Sequence, residues 1–351
     1  AHIADRSFYQ SVQRLLDQHD VVLYESVKPP GTGGAGGETD EERIASTRSA
    51  LEFVTDLIEL FHDRKQSYPE DLAALRAFAL DQEPRMAGWL DAAILDAWGA
   101  KFTYARAEDG QSYTLVSLGA DKVPGGDGAA ADIKLADDAP RTPMDLSHND
   151  GLQGQLADAL HLKFQLEALD YSRATWRCSD MAVDQVDREL EARGLDFGPL
   201  GGTLAGSSFP AKVISVLLGL IRMADTFLEG AIADTFKVAM IEMLGDEAVV
   251  ERGIGQLGKG FSEVIIEQRN QVAIDDLKQI IDREPQVKSV AILYGAAHMN
   301  DFETRLIDRL GYVPAETHWI PAIRVDFTKS AVSAAEVNRI RAMMRQMMKG
   351  R

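Results

Sequence analysis

A single cysteine, Cys178, stands among 351 residues, so no internal disulfide can form and the redox compartment stays open. No apolar run approaches the roughly 20 residues that a bilayer-spanning helix needs. The closest approach, Val213 to Ile221, is closed off by Lys212 and Arg222. Positive charge is short as well: 37 Lys and Arg face 55 Asp and Glu, a net charge of −18. That balance argues against a chain whose main work is gripping nucleic acid or an anionic membrane, and solubility is its plainer explanation. Apolar residues at 45% and charged residues at 26% are ordinary globular values, which excludes wholesale disorder. At roughly 150 residues per domain the length suggests about two domains with cores that need no staples.

Local patterning divides the chain. Asp5 to Gln18 carries Phe8, Val12, Leu15 and Leu16 at helical spacing, and Val21 to Tyr24 reads as a short buried strand with Glu25 at its carboxyl end. Lys28 to Gly37, rich in glycine and proline, is the clearest linker. Beyond it Leu51, Val54, Ile58 and Phe61 mark an amphipathic helix, and Phe102 to Tyr104 with Tyr113 to Ser117 suggest a hairpin. Residues 137–150 read as a return linker. The expected organisation is a discontinuous domain of residues 1–30 and 140–351, a linker over 31–42, and an inserted small α+β domain over 43–133.

In the second part of the larger domain, Leu152 to Tyr171 and Met181 to Ala192 read as helices, the latter with Ser179 and Asp180 as capping candidates. Ala211 to Leu244 reads as a long core helix or helix pair, the alternative being a greasy surface for a membrane or an extended substrate. Phe261 to Arg283 is another helical stretch, and Val287 to Tyr294 a buried strand of a parallel or mixed sheet. Phe302, Leu306 and Leu310 form a helical stripe closed by Gly311, and His318 to Phe327 suggests a further strand. Ser333 and Glu336 form a capping box for a last helix whose Met-rich stripe suits core packing or a homodimer contact.

The two ends repeat one pattern. Ala1-His2 and Ala297-His298 each precede an amphipathic helix, and the second pair follows a strand directly, so each end reads as strand, histidine, helix, strand. The abrupt start at residue 1 leaves room for an upstream strand and for a signal peptide or anchor before it. In open α/β sheets ligands gather at the carboxyl ends of strands. His2, Glu25 and His298 are therefore expected to share a crevice as ligands of a divalent metal. A capped helix start or a satisfied polar residue would explain each of them singly. Glu316 and His318 follow the second unit where Glu25 follows the first, and stand as further candidates or as a surface strand end. Cys178 reads as a buried small residue rather than a nucleophile.

At these residues the chain resembles the TraB/TIKI family, grouped with erythromycin esterases and ChaN-like haem-binding proteins. Gly295-Ala296-Ala297-His298 is a complete GxxH motif, Val22-Leu23-Tyr24-Glu25 resembles the family's glutamate strand, and Arg269-Asn270 resembles its arginine element. His2 fits the first GxxH, whose glycine would lie before residue 1. The resemblance covers residues 1–30 and 145–327. It implies an α/β fold with a central mixed sheet built of two related halves and surrounding helices. For the TIKI branch it also implies a metal-dependent protease, using Mn, Co or Zn on a polypeptide substrate. Glu25 would then be a ligand or general base; Arg269 would stabilise an oxyanion or lock Glu25; Asn270 would orient a ligand or a substrate amide; Gly295 would support them. The same residues would serve a non-catalytic haem- or metal-binding protein.

The insert resembles the type II secretion major pseudopilin: Tyr68-Pro69, Asp96-Ala97-Trp98-Gly99, Ser117-Leu118-Gly119-Ala120-Asp121 and Gly125-Gly126-Asp127-Gly128 followed by Ala131-Asp132-Ile133 occur in order. Ala97 replaces the family's usual proline, and the long apolar assembly helix is missing. This resemblance implies a calcium loop with Asp121, Asp127 and Asp132, oxygen donors suited to a hard cation, although a merely acidic loop has the same composition. It also implies an exported location, periplasmic or at the cell surface, and an envelope or secretion-system partner.

Overall fold

The computed structural model describes residues 2–135, 152–195, 231–244, 258–326 and 333–349. After the two-residue strand β1 (Ile3–Ala4), α1 (Arg6–Leu16) starts from Asp5 and buries Tyr9 and Leu16. Strand β2 (Val21–Tyr24) is buried at all four positions because each of its faces meets a different core. Val22 and Tyr24 pack with Tyr9, Leu16, Tyr171 and Trp176, while Val21 and Leu23 pack with Leu277 and Ile280. Alternation along the strand sends successive side chains to opposite faces, and a continuous apolar run is what two covered faces require.

The insert follows. Helix α2 (Asp40–Lys65) opens on a capping box in which Glu42 N–H donates to Thr39 Oγ1 and Thr39 N–H donates to Glu42 Oε2. Helices α3 (Leu72–Gln82) and α4 (Pro84–Ala93) and the antiparallel hairpin β3 (Thr103–Arg106) and β4 (Tyr113–Val116) complete it. Leu51, Val54, Leu57, Ile58, Leu75, Leu90, Phe102 and Leu115 form a hydrophobic core of its own, as the periodicity of α2 predicts. The Gly/Pro stretch is less of a free linker than its composition suggests. Thr32 is fully buried, Gly31 N–H donates to Asp184 Oδ1, and Lys28 bridges to Ala182 in parallel fashion.

Leu152 to Tyr171 is not one helix. It divides into α5 (Leu152–Ala159), β5 (Lys163–Phe164) and α6 (Gln165–Ala168). His161 takes φ 53°, a left-handed conformation that no continuing helix allows, and β5 then pairs antiparallel with β1. Strand β6 (Trp176–Cys178) leads into α7 (Val183–Glu191), whose amino-terminal Ala182 N–H is taken by the Gln185 side chain. Ser179 and Asp180 do not cap it. Of the Ala211 to Leu244 stretch, α8 (Ala231–Leu244) is described and residues 211–230 lie outside the described residues, as does the return linker 137–150. Helix α9 (Lys259–Ser262) passes through a π-helical turn, Glu263–Gln268, into α10 (Arg269–Arg283).

Strand β7 (Val290–Leu293) pairs parallel with β2, as does β6, giving the order β6-β2-β7. Among the described residues this central sheet is parallel throughout, not mixed; the antiparallel pairs β1–β5 and β3–β4 are separate sheets. Covered by helices on both faces, it is an α/β arrangement with small sheets. Helix α11 (Met299–Leu310) ends at Gly311, φ 70°, as its stripe predicts. Residues 318–326 form no strand: they are largely exposed, Trp319 at 91%, so among the described residues the second end has no counterpart of the first end's closing strand. The capping box of α12 (Ala334–Lys349) forms as expected, Glu336 N–H donating to Ser333 Oγ. Its Met344 and Met347 side chains lie outside what the structure describes. No helix among the described residues is long and apolar enough to cross a membrane.

Candidate functional site

The carboxyl ends of the three parallel strands define a crevice. Glu25 N–H donates to Leu293 O at 2.9 Å, continuing the β2–β7 ladder one residue beyond Tyr24 and fixing where its carboxylate begins. Past Leu293 the chain turns at Gly295 through a 3₁₀ turn, Ala296–His298, into α11, which buries His298. Opposite, the π-helical turn hands over to α10 at Arg269, and the first two residues of that helix, Arg269 and Asn270, are both buried. A π turn changes the angular spacing along a helix locally and often marks a functional site.

These elements converge on Glu25. Arg269 Nη2 donates to its Oε1 at 2.8 Å and Gly295 N–H donates to its Oε2 at 2.6 Å. His298 Nε2 lies 3.5 Å from Oε1. Gly295 permits this approach: a Cβ there would stand 3.2 Å from Glu25 Oε2 and 3.5 Å from His2 Nε2. His2, exposed as a residue, thus brings its imidazole to the same glycine. Sequence reasoning placed these residues together, and they are together.

The arrangement is braced from behind. Arg269 forms a bidentate pair with Asp180, Nε to Oδ1 at 2.8 Å and Nη2 to Oδ2 at 2.7 Å, and gives Nη1 to Ile265 O. Its geometry is that of a lock between two carboxylates. Asn270 has both amide hydrogens in use, on His298 O at 3.0 Å and Asp301 Oδ2 at 2.8 Å, so it has none to offer a substrate. Its Oδ1, 2.7 Å from His298 Nδ1, accepts the proton of that nitrogen. Tyr294 stacks edge-on against the His298 ring and donates its hydroxyl to Ser179 O.

Electrostatics follow from this packing. Burial alone would raise the Glu25 pKa, but the His298 bond, the Arg269 charge and the Gly295 N–H outweigh it and hold the carboxyl well below its ordinary range. Burial likewise opposes the Arg269 charge and loses to Asp180 and Glu25, so its pKa rises. His2 is lowered, chiefly by burial of its ring, with Glu25 pulling the other way.

The tautomer of His298 decides what the pair can do. With Nδ1–H donated to Asn270, a neutral ring would present an Nε2 lone pair toward an ionised carboxylate oxygen. Two acceptors face each other stably only with a positive charge between them, a proton or a metal ion. At 3.5 Å apart, Glu25 Oε1 and His298 Nε2 are close enough for both to hold one ion. Asn270 behind Nδ1 is the kind of outer partner that metal-binding histidines use. Among the described residues, however, no group of three or more His, Cys, Asp or Glu side chains is arranged to hold a metal ion. Glu25 and His298 form a two-donor site with His2 beside it.

The remaining candidates lie elsewhere. Glu316 and His318 form an exposed pair with each other at 3.6 Å. Asp121, Asp127 and Asp132 are exposed on the insert loop, where Asp121 Oδ1 accepts from Val123 N–H. Gly119, φ 65°, winds that loop so closely that a Cβ would meet the Ala131 and Ala129 carbonyls at 2.7 and 2.8 Å. Cys178, hydrogen-bonded to Ser26 O, has its thiol pushed up to about 12 by burial, which suits an inert residue. Asp180 was missed. The rule that singled out Glu25, an acidic residue just past an apolar strand, applies equally to Asp180 two residues beyond β6.

Residues 35–136 match the family model of the type II secretion system (T2SS), protein G. The protein G-like module therefore takes in the unit with its own core and part of the Gly/Pro stretch before it, while every residue of the crevice lies outside it. No curated protein and no solved structure matches the chain.

Proposed function

We propose that the crevice is the centre of a divalent-metal-dependent hydrolase acting on a polypeptide. The observation that carries this reading is the Glu25–His298 pair, a carboxylate oxygen and an imidazole nitrogen 3.5 Å apart, with the proton of the other ring nitrogen taken by Asn270. The GxxH at Gly295 to His298 and the resemblance to TraB/TIKI proteins support it. Glu25 and His298 would hold the ion, with His2 completing the set. A bound Mn²⁺, Co²⁺ or Zn²⁺ would polarise a scissile carbonyl and acidify a water. Arg269 keeps Glu25 ionised and aimed, Asp180 keeps Arg269 in place, and Asn270 orients the imidazole. The test is metal binding by calorimetry to chelator-stripped protein, followed by peptide-library cleavage. His298→Ala and Glu25→Gln should each abolish both, with the circular dichroism spectrum unchanged. Cleavage that persists in both variants would end this reading.

The protein G match favours a second role for the module: contact with a secretion-system partner at the cell envelope, outside the cytoplasm, with a calcium ion on the Asp121, Asp127 and Asp132 loop. The isolated 35–136 segment should then capture that partner in a calcium-dependent way, indifferent to His298→Ala in the full chain.

A further inference from the structure

A second cavity, of about 400 Å³, lies where α4 of the module meets the β6 edge of the parallel sheet. Its walls include Tyr24, Lys28, Tyr171, Arg177 and Cys178 from one unit and Arg85 from the other. Lys28 is the unusual member. Its backbone is pinned on both sides, N–H to Met181 O and C=O from Val183 N–H, and the residue is only 9% exposed. Among the described residues its ammonium has no hydrogen-bond or ion-pair partner.

Every other cation of the lining is matched. Arg76 is bidentate with Asp91, Arg85 pairs with Glu83, Arg173 with Asp17 and Asp170, and Arg177 with Glu284. Asp91 is the one carboxylate among the lining residues, and Arg76 already holds it. Lys28 is thus the one cation of the lining with no carboxylate beside it among the described residues, and an anion entering the cavity would supply the partner it lacks. The apolar wall is aromatic: Tyr24, Tyr171 and Trp176 pack ring against ring, and the Arg85 guanidinium lies 5.9 Å from the Tyr171 ring centre.

We propose that this cavity binds a small organic oxyanion, a phosphate or carboxylate carried on a flat apolar body, with Lys28 as its charge partner. The oxyanion would meet the ammonium and the body would lie against the tyrosines. Because α4 and the sheet edge each supply a wall, the ligand would also tie the protein G-like module to the larger unit. This goes beyond the crevice chemistry and does not depend on it.

Calorimetric titration of the full chain with phenyl phosphate, with benzoate and with uncharged phenol tests the idea. Binding of phenyl phosphate or benzoate, but not phenol, is expected, and the stronger of the two names the head group. Lys28→Met removes the charge at nearly constant volume and should weaken binding at least tenfold while leaving the thermal midpoint unchanged or higher. Gly88→Leu is the independent variant. Gly88 lines the cavity on α4, and a Cβ there meets nothing within 4 Å, so a side chain can start from this position into open space at the cavity wall. It should abolish binding even if Lys28→Met fails to fold. Absence of binding by both anions at about 1 mM, binding by phenol as strong as by the anions, or anion binding unchanged in a folded variant of either kind would overturn the proposal.

Discussion

Replacing Arg269 by Met probes the brace of the crevice directly. Asp180 is 1% exposed and the Glu25 side chain 11%, and Arg269 supplies two hydrogen bonds to the first and one to the second. Removing the shared cation leaves two buried carboxylates facing one gap. Breaking a buried ion pair from one side destabilises by about 3–5 kcal/mol, whereas exchanging all partners for neutral groups can be nearly neutral. Arg269→Met should therefore lose that amount at pH 7, and Glu25→Gln with Asp180→Asn on top of it should recover most of the loss. The pH dependence has a definite sign. In the native chain Glu25 has a depressed pKa, so its contribution is present above the ordinary value of 4.5 and fades as pH falls below it toward the depressed folded-state value. In Arg269→Met the Glu25 carboxyl loses one of the groups that depress it while its burial remains, so its pKa rises relative to the native chain and acid neutralises the strain. The gap between native and variant should shrink from pH 7 toward pH 4.5. Chelator-treated protein, urea unfolding and hydrogen exchange at the β2 amides together measure it, the amides reporting this unit and not the module. A loss below about 1 kcal/mol at pH 7, or a gap that does not narrow on acidification, would refute the reasoning.

Three further outcomes are expected. Asn270→Ala should lower metal affinity by about 10–100-fold, and nitrogen NMR of His298 should show that Nδ1 no longer holds the proton uniquely. Thr39→Ala removes the α2 capping box and should destabilise the protein G-like module by about 1 kcal/mol in thermal unfolding without changing metal binding at the crevice. Cys178, with its thiol pushed up to about 12, should resist a disulfide reagent at pH 8 in the folded protein and react fully once unfolded.

Local signals sufficed where one element answers to its own residues. The Val21–Tyr24 strand, the α2 stripe with its private core, the Gly311 stop and the Ser333–Glu336 box all depend on spacing within a few residues, and each appears where that spacing puts it. The meeting of Glu25 and His298 was legible too, because residues just past the carboxyl ends of adjacent parallel strands converge, whereas His2, ahead of β1 in the separate antiparallel pair, reaches Gly295 through tertiary packing. Elements whose identity depends on a distant partner were not. Lys163–Phe164 looks helical by itself, yet it has β1 to pair with, while 318–326 has strand-like composition and no partner among the described residues. Ser179 and Asp180 have the side chains of helix caps. Tertiary structure alone brought their partners within reach, Ser179 Oγ donating to Asp276 of α10 and Asp180 pairing with Arg269, since a hydrogen bond to a charged group across the fold is stronger than a cap to a neighbouring amide. Sequence thus determined which residues could do chemistry, and packing decided which of them hold the others in place.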